Sequence, residues 1–363
     1  MRPSLLRLLA FIALAACGDA AGLPPYTAPV AITDAQLVDD VRNYLALVEE
    51  GGTSGVVALR VGDTERVFGL GSADRENARA FGPDTLVPLG SLTKGMLGLL
   101  VARLAEEGSV DVDAPLGPAL EGVLAVPADK ADLTLHELLT HTSGLPGSLG
   151  ADDERLARDA FWERAMAAPL RERGTFRYGN VGYSVAAAAL EAMTGEPHER
   201  SLARALDGTG ITGFRYDAPS GAQLAVGYRG GRRWGTLLEQ PRLEDGPGWN
   251  LRGNGGLLAS MADVLAWRRW VLAQAPGVRS RALAQHVEYG GGSFYGYGFD
   301  VRDSPRGTRF IDHDGGNGIF FARLTWWTDE DVLLVTATNV AEQDGNVLHV
   351  TLAEAIIARL NRR

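Results

Sequence analysis

The hydrophobic pattern at the two ends of the chain predicts strands and covering helices. From Asp34, apolar residues recur at helical spacing in DAQLVDDVRNYLALVEE, which predicts an amphipathic helix that ends at Gly51 and Gly52. Strand signals follow in SGVVALRV and ERVFGLG, on either side of a Gly62-Asp63 turn. Near the carboxyl end, alternating or β-branched runs occur in FYGYGFDVR, TRFIDH, IFFARLTWW and DVLLVTATN, and HVTLAEAIIARL predicts a closing helix.

The middle of the chain carries the helical pattern. Helices are predicted in MLGLLVARLAEEG, LHELLTH, DERLARDAFWERAMAAP and GYSVAAAALEAMTG, so residues 95 to about 290 form mainly helices and loops. The economical fold class is α+β: an antiparallel sheet from both termini, flanked by the terminal helices, with an inserted helical lobe. We expect a single domain over residues 34–363, with a sheet lobe at about 34–90 and 295–363 and a helical lobe at about 91–294.

Residues 1–16 predict a signal peptide, because Arg2 and Arg7 precede the run LLAFIALAA, which is too short to span a bilayer. The single cysteine, Cys17, follows Leu-Ala-Ala in a pattern that resembles the lipobox of bacterial lipoproteins. That resemblance implies a lipid on Cys17 and a membrane anchor for a protein exported to the bacterial cell envelope. Residues 17–33 are then the attachment site and a tether. The alternative is an ordinary cleavable leader.

Composition and charge limit the kinds of molecule that the protein is expected to bind. The 363 residues are 45% hydrophobic and 22% charged, which is typical of a folded domain with a sizeable core. The 35 basic and 45 acidic residues give a net charge of −10, which argues against a nucleic-acid partner. The one dense basic patch, RGGRR at residues 229–233, has a Gly-Gly centre that predicts a hairpin turn.

Two familiar catalytic patterns do not apply. The sequence contains no GxSxG, so the nucleophile turn of the α/β-hydrolases is unavailable. His136 and His141 of HELLTH are five residues apart, whereas two zinc ligands on one helical face need a spacing of four. We therefore expect neither a metal nor an organic cofactor.

The distribution of lysine is unusual. The 35 lysine and arginine residues include only two lysines, Lys94 and Lys130, so arginine serves wherever a plain positive charge suffices. A lysine can lose its proton and act as a base, whereas a guanidinium in practice cannot. Lys94 lies three residues after Ser91 at a predicted helix start, which puts both on one face, and Ser-Lys pairs are known nucleophile-base pairs. The alternative is that Ser91 caps a helix and Lys94 is solvated.

Two later segments add to this pair. FRYGNVGY places Tyr178 and Asn180 in a loop before the Ala-rich helix, and a predicted strand ends in the His-x-Gly pattern of IDHDGG. The alternatives are an ordinary turn tyrosine and a helix-capping asparagine. With LLTHTSGLP and GNGGLLASMADVLAW in the same order, the sequence resembles the class C-like branch of the serine β-lactamase and penicillin-binding-protein superfamily. The resemblance covers residues 35–361 and implies the β-lactamase/transpeptidase-like fold.

The resemblance implies catalytic roles for three residues. Ser91 corresponds to the acylated nucleophile, Lys94 to its proton acceptor or the group that tunes it, and Tyr178 to a general acid/base, as a phenol or as a phenolate held by Lys94. It leaves open whether Lys94 or Tyr178 takes the first proton. Asn180 corresponds to a donor to the substrate carbonyl side.

The third motif is expected to bind substrate through His313, Asp314, Gly315 and Gly316. By the resemblance, the backbone NH groups of Ser91 and Gly316 form an oxyanion hole, where a preorganised donor typically contributes about 3 to 4 kcal/mol.

One departure bears on the substrate. The family's usual threonine, which helps to bind a substrate carboxylate, is replaced by Asp314, whose charge repels such a group. The sequence thus favours an esterase or amidase that acts on small-molecule or peptide substrates without that carboxylate. The alternative is a retired enzyme, an envelope binding or sensor lipoprotein of the same fold. His141 and Ser143 of the HTSG segment are interpreted as structural loop residues.

Overall fold

An eight-stranded antiparallel sheet is built from both ends of the chain, as the sequence predicts. The computed structural model describes residues 34–50, 52–340 and 342–360, so the predictions for the leader, Cys17 and the tether lie outside it. The strands are β1 (Gly55–Val61), β2 (Thr64–Leu70), β3 (Ser72–Asp74), β4 (Arg79–Ala80), β5 (Val87–Pro88), β6 (Gly227–Arg229), β7 (Arg232–Gly235), β8 (Leu258–Ala259), β9 (Val287–Gly290), β10 (Ser293–Tyr295), β11 (Asp300–Asp303), β12 (Arg309–Gly316), β13 (Phe321–Trp327) and β14 (Val332–Thr338). The order in the large sheet is β2-β1-β14-β13-β12-β11-β10-β9.

The helices are predominantly those of the inserted lobe. In the described residues they are α1 (Asp34–Glu50), α2 (Thr93–Glu106), α3 (Leu116–Ala119), α4 (Leu135–Leu139), α5 (Arg158–Ala167), α6 (Val181–Thr194), α7 (His198–Ala205), α8 (Met261–Ala273), α9 (Pro276–Ala282) and α10 (Glu342–Leu360). Single 3-10 turns lie at Gly90–Leu92 and Leu237–Glu239. The chain thus leaves the sheet after β2, builds the helical lobe and returns at β9.

The sheet separates two hydrophobic cores, because neighbouring residues of a strand face opposite sides. In β1, Val57 and Leu59 pack with the terminal helices α1 and α10, whose contributions include Leu45 and Leu352. The alternate residue Val56 packs into the larger core beneath the helical lobe. The pairing of β1 with β14, second and third in the sheet from the β2 edge, joins strands from the two ends of the chain. This arrangement confirms the predicted α+β class.

Close packing at α2 requires small residues. A Cβ on Gly98 would lie 2.1 Å from the carbonyl oxygen of Tyr297, and one on Gly95 would lie 2.2 Å from the ring of Phe299. The helix therefore approaches the segment between β10 and β11 at backbone distance. As a result, the first turn of α2, which carries Lys94, is held in place by the sheet.

Three boundaries differ from the sequence prediction. The sheet resumes at Val287, not at residue 295, because the glycine-rich turn at 290–292 conceals the β9–β10 hairpin. The helix predicted in DERLARDAFWERAMAAP begins only at Arg158. The LHELLTH helix ends at Leu139, since His141 has a φ of 60° and breaks the helical geometry. The RGGRR segment is a hairpin turn between β6 and β7, as predicted.

Within the described ranges, none of the helices combines the length and apolarity that a membrane span requires.

Candidate active site

Ser91 lies on the 3-10 turn that leads into α2, directly against the end of β12. The turn starts at Gly90, whose φ of 52° lies in the left-handed region that favours glycine. A Cβ on Gly315 would lie 2.3 Å from the backbone nitrogen of Ser91. Glycine at both positions lets the two backbones meet, so the third motif is held beside the serine.

Lys94 is fully buried one turn after Ser91. Its Nζ lies 2.9 Å from Ser91 Oγ, 2.9 Å from Asn180 Oδ1 and 3.0 Å from the carbonyl oxygen of Asn254. Burial lowers the pKa of Lys94 to about 7, although Asp152 and Asp314 act in the opposite direction. The alternative of a solvated lysine is wrong.

These contacts orient the amine when it is neutral. The two carbonyl oxygens, from Asn180 and Asn254, only accept hydrogen bonds, so they take the two hydrogens of a neutral amine. Protonated Lys94 also donates to Ser91 Oγ at 2.9 Å, whereas the neutral amine has a lone pair left for this third contact and can accept the hydroxyl proton through it. The geometry and the pKa both make Lys94 suited to act as a base toward Ser91.

Tyr178 contacts Ser91 from the other side. Its phenol hydrogen-bonds with Ser91, and its ring centroid lies 4.9 Å from Lys94 Nζ. The side chain is 46% exposed at the mouth of the site. Burial of the hydroxyl, together with Asp314 and Asp300, raises the pKa of Tyr178 well above its ordinary value. Near pH 7 this side chain is therefore a neutral phenol, and the phenolate alternative is disfavoured.

Asn180 and Ser91 do not cap helices. Asn180 occupies the position before α6, but its side chain makes no capping hydrogen bond and its Oδ1 accepts from Lys94. Ser91 likewise makes no cap for α2, whose N-cap residue is Leu92. The structural alternatives for both residues are wrong.

Asn254 is a site residue that sequence reasoning missed. It lies in the GNGG segment before β8, and its side chain donates to Ser184 Oγ and to the carbonyl oxygen of Asn250, both at 2.8 Å. These bonds fix the backbone whose carbonyl contacts Lys94. Every residue type has a backbone carbonyl, so the sequence does not show which carbonyl will contact Lys94. The family-like GNGG segment was the one feature that indicated this position.

His313 is buried and neutral. Its Nδ1 lies 2.6 Å from the carbonyl oxygen of Asp314, which only accepts, so Nδ1 carries the proton. Nε2 then accepts from the hydroxyl of Tyr295 at 3.1 Å. Burial lowers the pKa of His313. Asp314 is exposed, in alternation along β12 with buried His313 and Gly315.

His141 supports the tyrosine loop. Its ring lies among aromatic side chains, 4.5 Å from the ring of Tyr178 and 4.7 Å from that of Tyr295 between centroids. Its Nδ1 accepts from the backbone NH of Gly179 at 3.4 Å. Burial holds the pKa of His141 well below its usual range. These contacts agree with its interpretation as a structural loop residue.

Two cavities open on either side of Ser91, and both are lined by Ser91 and Gly316. We name the first, of about 300 Å³, the Trp234 chamber; its apolar walls are Trp234, Leu237, Leu238, Pro247, Leu251 and Phe320. Asp152, Asp153 and Arg242 also line it. We name the second, of about 410 Å³, the Asp314 chamber; its walls include Phe176, Tyr178, Tyr289, Tyr295, Asp300 and Asp314. A substrate whose scissile bond lies at Ser91 thus has room on both sides.

One group in the described residues has the composition of a metal site. Ligand atoms of Glu191, His198 and Glu199 lie within 4.8 Å of one another, and none of the three residues lines either chamber. The ring of His198 is already bonded to Glu191 and Tyr216, at 2.7 and 3.1 Å, and Arg252 approaches Glu199 at 3.3 Å. We interpret these residues as part of an ion-pair network.

The chain matches a family model described as Beta-lactamase over residues 21–357. This chain belongs to the beta-lactamase family. The match confirms the resemblance to this family. A solved structural neighbour is the Beta-Lactamase/D-Alanine Carboxypeptidase from Pseudomonas syringae. That structure superposes with a TM-score of 0.73 over 88% of this chain and 98% of the other at 16% identity, which shows the fold.

Two curated relatives illustrate the range of the family. Esterase EstB from Burkholderia gladioli is 29% identical over 347 residues, which cover 80% of this chain and 86% of EstB. The protein PbpX of Bacillus subtilis (strain 168), named as a penicillin-binding protein, is 26% identical over 264 residues. That match covers 72% of this chain and spans 64% of the length of PbpX.

Proposed function

We propose that this protein is a serine hydrolase that cleaves esters or amides through an acyl-enzyme on Ser91. One observation carries the proposal: Lys94 Nζ is buried, has a pKa of about 7 and lies 2.9 Å from Ser91 Oγ. A serine hydroxyl is a weak nucleophile until a neighbouring base takes its proton. A lysine that is half neutral at pH 7 supplies such a base.

The proposed reaction has two halves. Lys94 takes the Ser91 proton, Ser91 Oγ attacks the substrate carbonyl, and the backbone NH groups of Ser91 and Gly316 stabilise the oxyanion. The neutral phenol of Tyr178 donates its proton to the departing alkoxide or amine, and Lys94 returns a proton to the phenol. Water then attacks the acyl carbon and gives a proton to a base at the site. The bond from the acyl carbon to Ser91 Oγ breaks, the same base returns the proton to Ser91 Oγ, and the acid product leaves.

The substrate class follows from the charge of the site. Asp314 lines the same cavity as Ser91, so a substrate carboxylate placed there is repelled. This supports an esterase or amidase activity over hydrolysis of carboxylate-bearing β-lactams or D-alanyl peptides. The similarity to Esterase EstB is consistent with this preference.

Labelling and turnover together test the proposal. A fluorophosphonate should modify the protein once, at Ser91, and p-nitrophenyl esters or D-amino-acid amides should be hydrolysed faster than nitrocefin. Ser91→Ala should abolish both signals, and Ser143→Ala, which changes another buried serine, serves as the matched control. Labelling without steady-state turnover would instead identify a retired enzyme.

We further propose that the protein is a lipoprotein of the cell envelope. The proposal rests on the leader-like residues 1–16 and on Cys17 in its lipobox-like context. Acyl chains contribute about 0.8 kcal/mol of membrane affinity per buried methylene, so Cys17→Ser should move the protein from the membrane to the soluble fraction. Finding the unmodified protein soluble and without lipid would contradict this proposal.

A further inference from the structure

The Asp314 chamber has aromatic walls. The rings of Phe176 and Tyr289 stack with centroids 4.8 Å apart, and Tyr295 lies 5.5 Å from Phe176. Tyr178 completes the wall beside Ser91. The faces of such rings carry negative potential, which attracts cations that are weakly hydrated.

The charges of the same chamber are negative. Asp300 accepts a hydrogen bond from Tyr289 at 2.6 Å and lies 4.0 Å from Arg302, so its charge is partly balanced. Asp314 forms no ion pair with any residue that the structure describes. His313 is neutral there, and burial lowers the pKa of Lys94, the cation closest to the nucleophile, to about 7. Lys94 and Arg323, which lies opposite Asp314 on β13, both interact with its charge, but no arginine or lysine of the described residues lines the chamber.

We propose that the Asp314 chamber binds an alkylammonium group carried on the leaving-group side of the substrate. An alkylammonium is the group that both features favour, since aromatic faces and a carboxylate each attract it. The leaving-group side is assigned because Tyr178, the proposed proton donor to the leaving group, lines this chamber and not the Trp234 chamber. This inference rests on the proposed function and extends it to a substrate class, the esters of amino alcohols and the amides of diamines.

A pair of isosteric esters tests the proposal. Butyrylcholine and 3,3-dimethylbutyl butyrate share the acyl group and the shape of the leaving group, but only the first carries a charge. We expect kcat/KM to be at least about tenfold higher for the cationic ester. Asp314→Asn should lower this ratio by about fivefold, because the aromatic walls remain and solvent screens the exposed carboxylate. Asp303→Asn removes the same charge from an exposed position on β11 outside the chamber and should leave the ratio unchanged.

Other outcomes separate the two proposals. Equal rates for the two esters, with a ratio that Asp314→Asn does not change, would overturn the ammonium site and leave the hydrolase intact. A cation preference seen only when the ammonium is on the acyl part would also overturn it.

A binding measurement covers the case of no turnover, which would contradict the proposed function. Phenyltrimethylammonium should then still bind more tightly than its neutral isostere tert-butylbenzene, and Asp314→Asn should reduce the difference. Equal binding of the two probes would overturn the ammonium site as well.

Discussion

The two chambers share the Ser91–Lys94 centre, but their walls come from different parts of the chain. The Trp234 chamber is walled mainly by loops of the inserted helical lobe, around β7 and the turn at Leu237–Glu239. The end of β12 and the β12–β13 connection contribute Gly316, Asn317 and Phe320. The Asp314 chamber is walled mainly by the sheet strands β9 to β12, with Phe176 and Tyr178 from the helical lobe. The first is mainly apolar and the second aromatic and acidic, so each part of the chain supplies a different kind of recognition.

The Ser91–Lys94 centre borders both chambers, so a substitution there disturbs both of them. Gly315 and the Ser91 turn touch through their backbones, and Lys94 is held by contacts with three segments of the chain. A change at this centre should affect every substrate, whereas a change in one chamber wall should affect only the part of the substrate that lies there. The centre should therefore set the rate for all substrates, and the chamber walls should set which substrates are preferred.

The largest effect is expected from Lys94→Arg. A guanidinium stays protonated, so the acylation rate should fall by about a thousandfold or more for substrates of either chamber, as with Lys94→Ala. Burst kinetics with p-nitrophenyl esters measure this rate. Lys130→Arg changes the other lysine, which is also buried and pairs with Asp129, and is the matched control. Substantial activity in Lys94→Arg would contradict the role of Lys94 as a base.

Tyr178→Phe should slow mainly those substrates whose leaving group needs a proton. Loss of the proton donor should lower kcat/KM for an alkyl ester by about a hundredfold, but much less for a p-nitrophenyl ester, whose leaving group needs no proton. Steady-state kinetics on the two esters measure the difference, with Tyr228→Phe as a control away from both chambers. An equal loss for both esters would assign Tyr178 to the attack step.

A plot of kcat/KM against pH should show a single decrease on the acid side, beginning near pH 7. Below its pKa of about 7, Lys94 binds a proton and loses the lone pair that faces Ser91. We expect kcat/KM to fall about tenfold per pH unit below 7 and to reach a plateau above it. The raised pKa of Tyr178 keeps the phenol protonated across that plateau. A profile that stays flat down to pH 5 would be incompatible with Lys94 as the base.

Trp234→Ala should lower activity only toward substrates whose acyl chain occupies the Trp234 chamber. The Trp234 ring packs against Phe320 with centroids 5.9 Å apart, so its removal opens the wall that a long acyl chain contacts. We expect kcat/KM for p-nitrophenyl hexanoate to fall about tenfold, with little change for the acetate. The ratio of the two esters is the measurement. Equal losses for both would indicate that Trp234 supports the centre itself.

Asp314→Thr should have the smallest effect. The substitution removes the carboxylate that repels an anionic substrate, so kcat/KM for nitrocefin should rise relative to a neutral p-nitrophenyl ester. Because Asp314 is exposed and solvent screens its charge, we expect the ratio to change by about fivefold. Efficient nitrocefin hydrolysis by the unmodified protein would place the discrimination elsewhere.

The local pattern was sufficient for several elements. The helix Asp34–Glu50 and the strands β1 and β2 follow the predicted segments closely, because their periodicity is carried by neighbouring residues. The β9–β10 hairpin was missed because the glycines of its turn interrupt that periodicity. The Ser91 and Lys94 pair was also predictable, since a spacing of three puts two side chains on one helical face.

The sequence by itself determined the family, the fold class and the pairing of Ser91 with Lys94, because these depend on motifs and on spacing along the chain. Only the tertiary structure decided the protonation of that lysine, since its desolvation and its contact with the Asn254 carbonyl come from residues up to 160 positions away. The placement of Asp314 beside Asp300 and four aromatic rings was decided in the same way. Burial and electrostatic potential are sums over neighbours in space, and the order of residues does not reveal those neighbours.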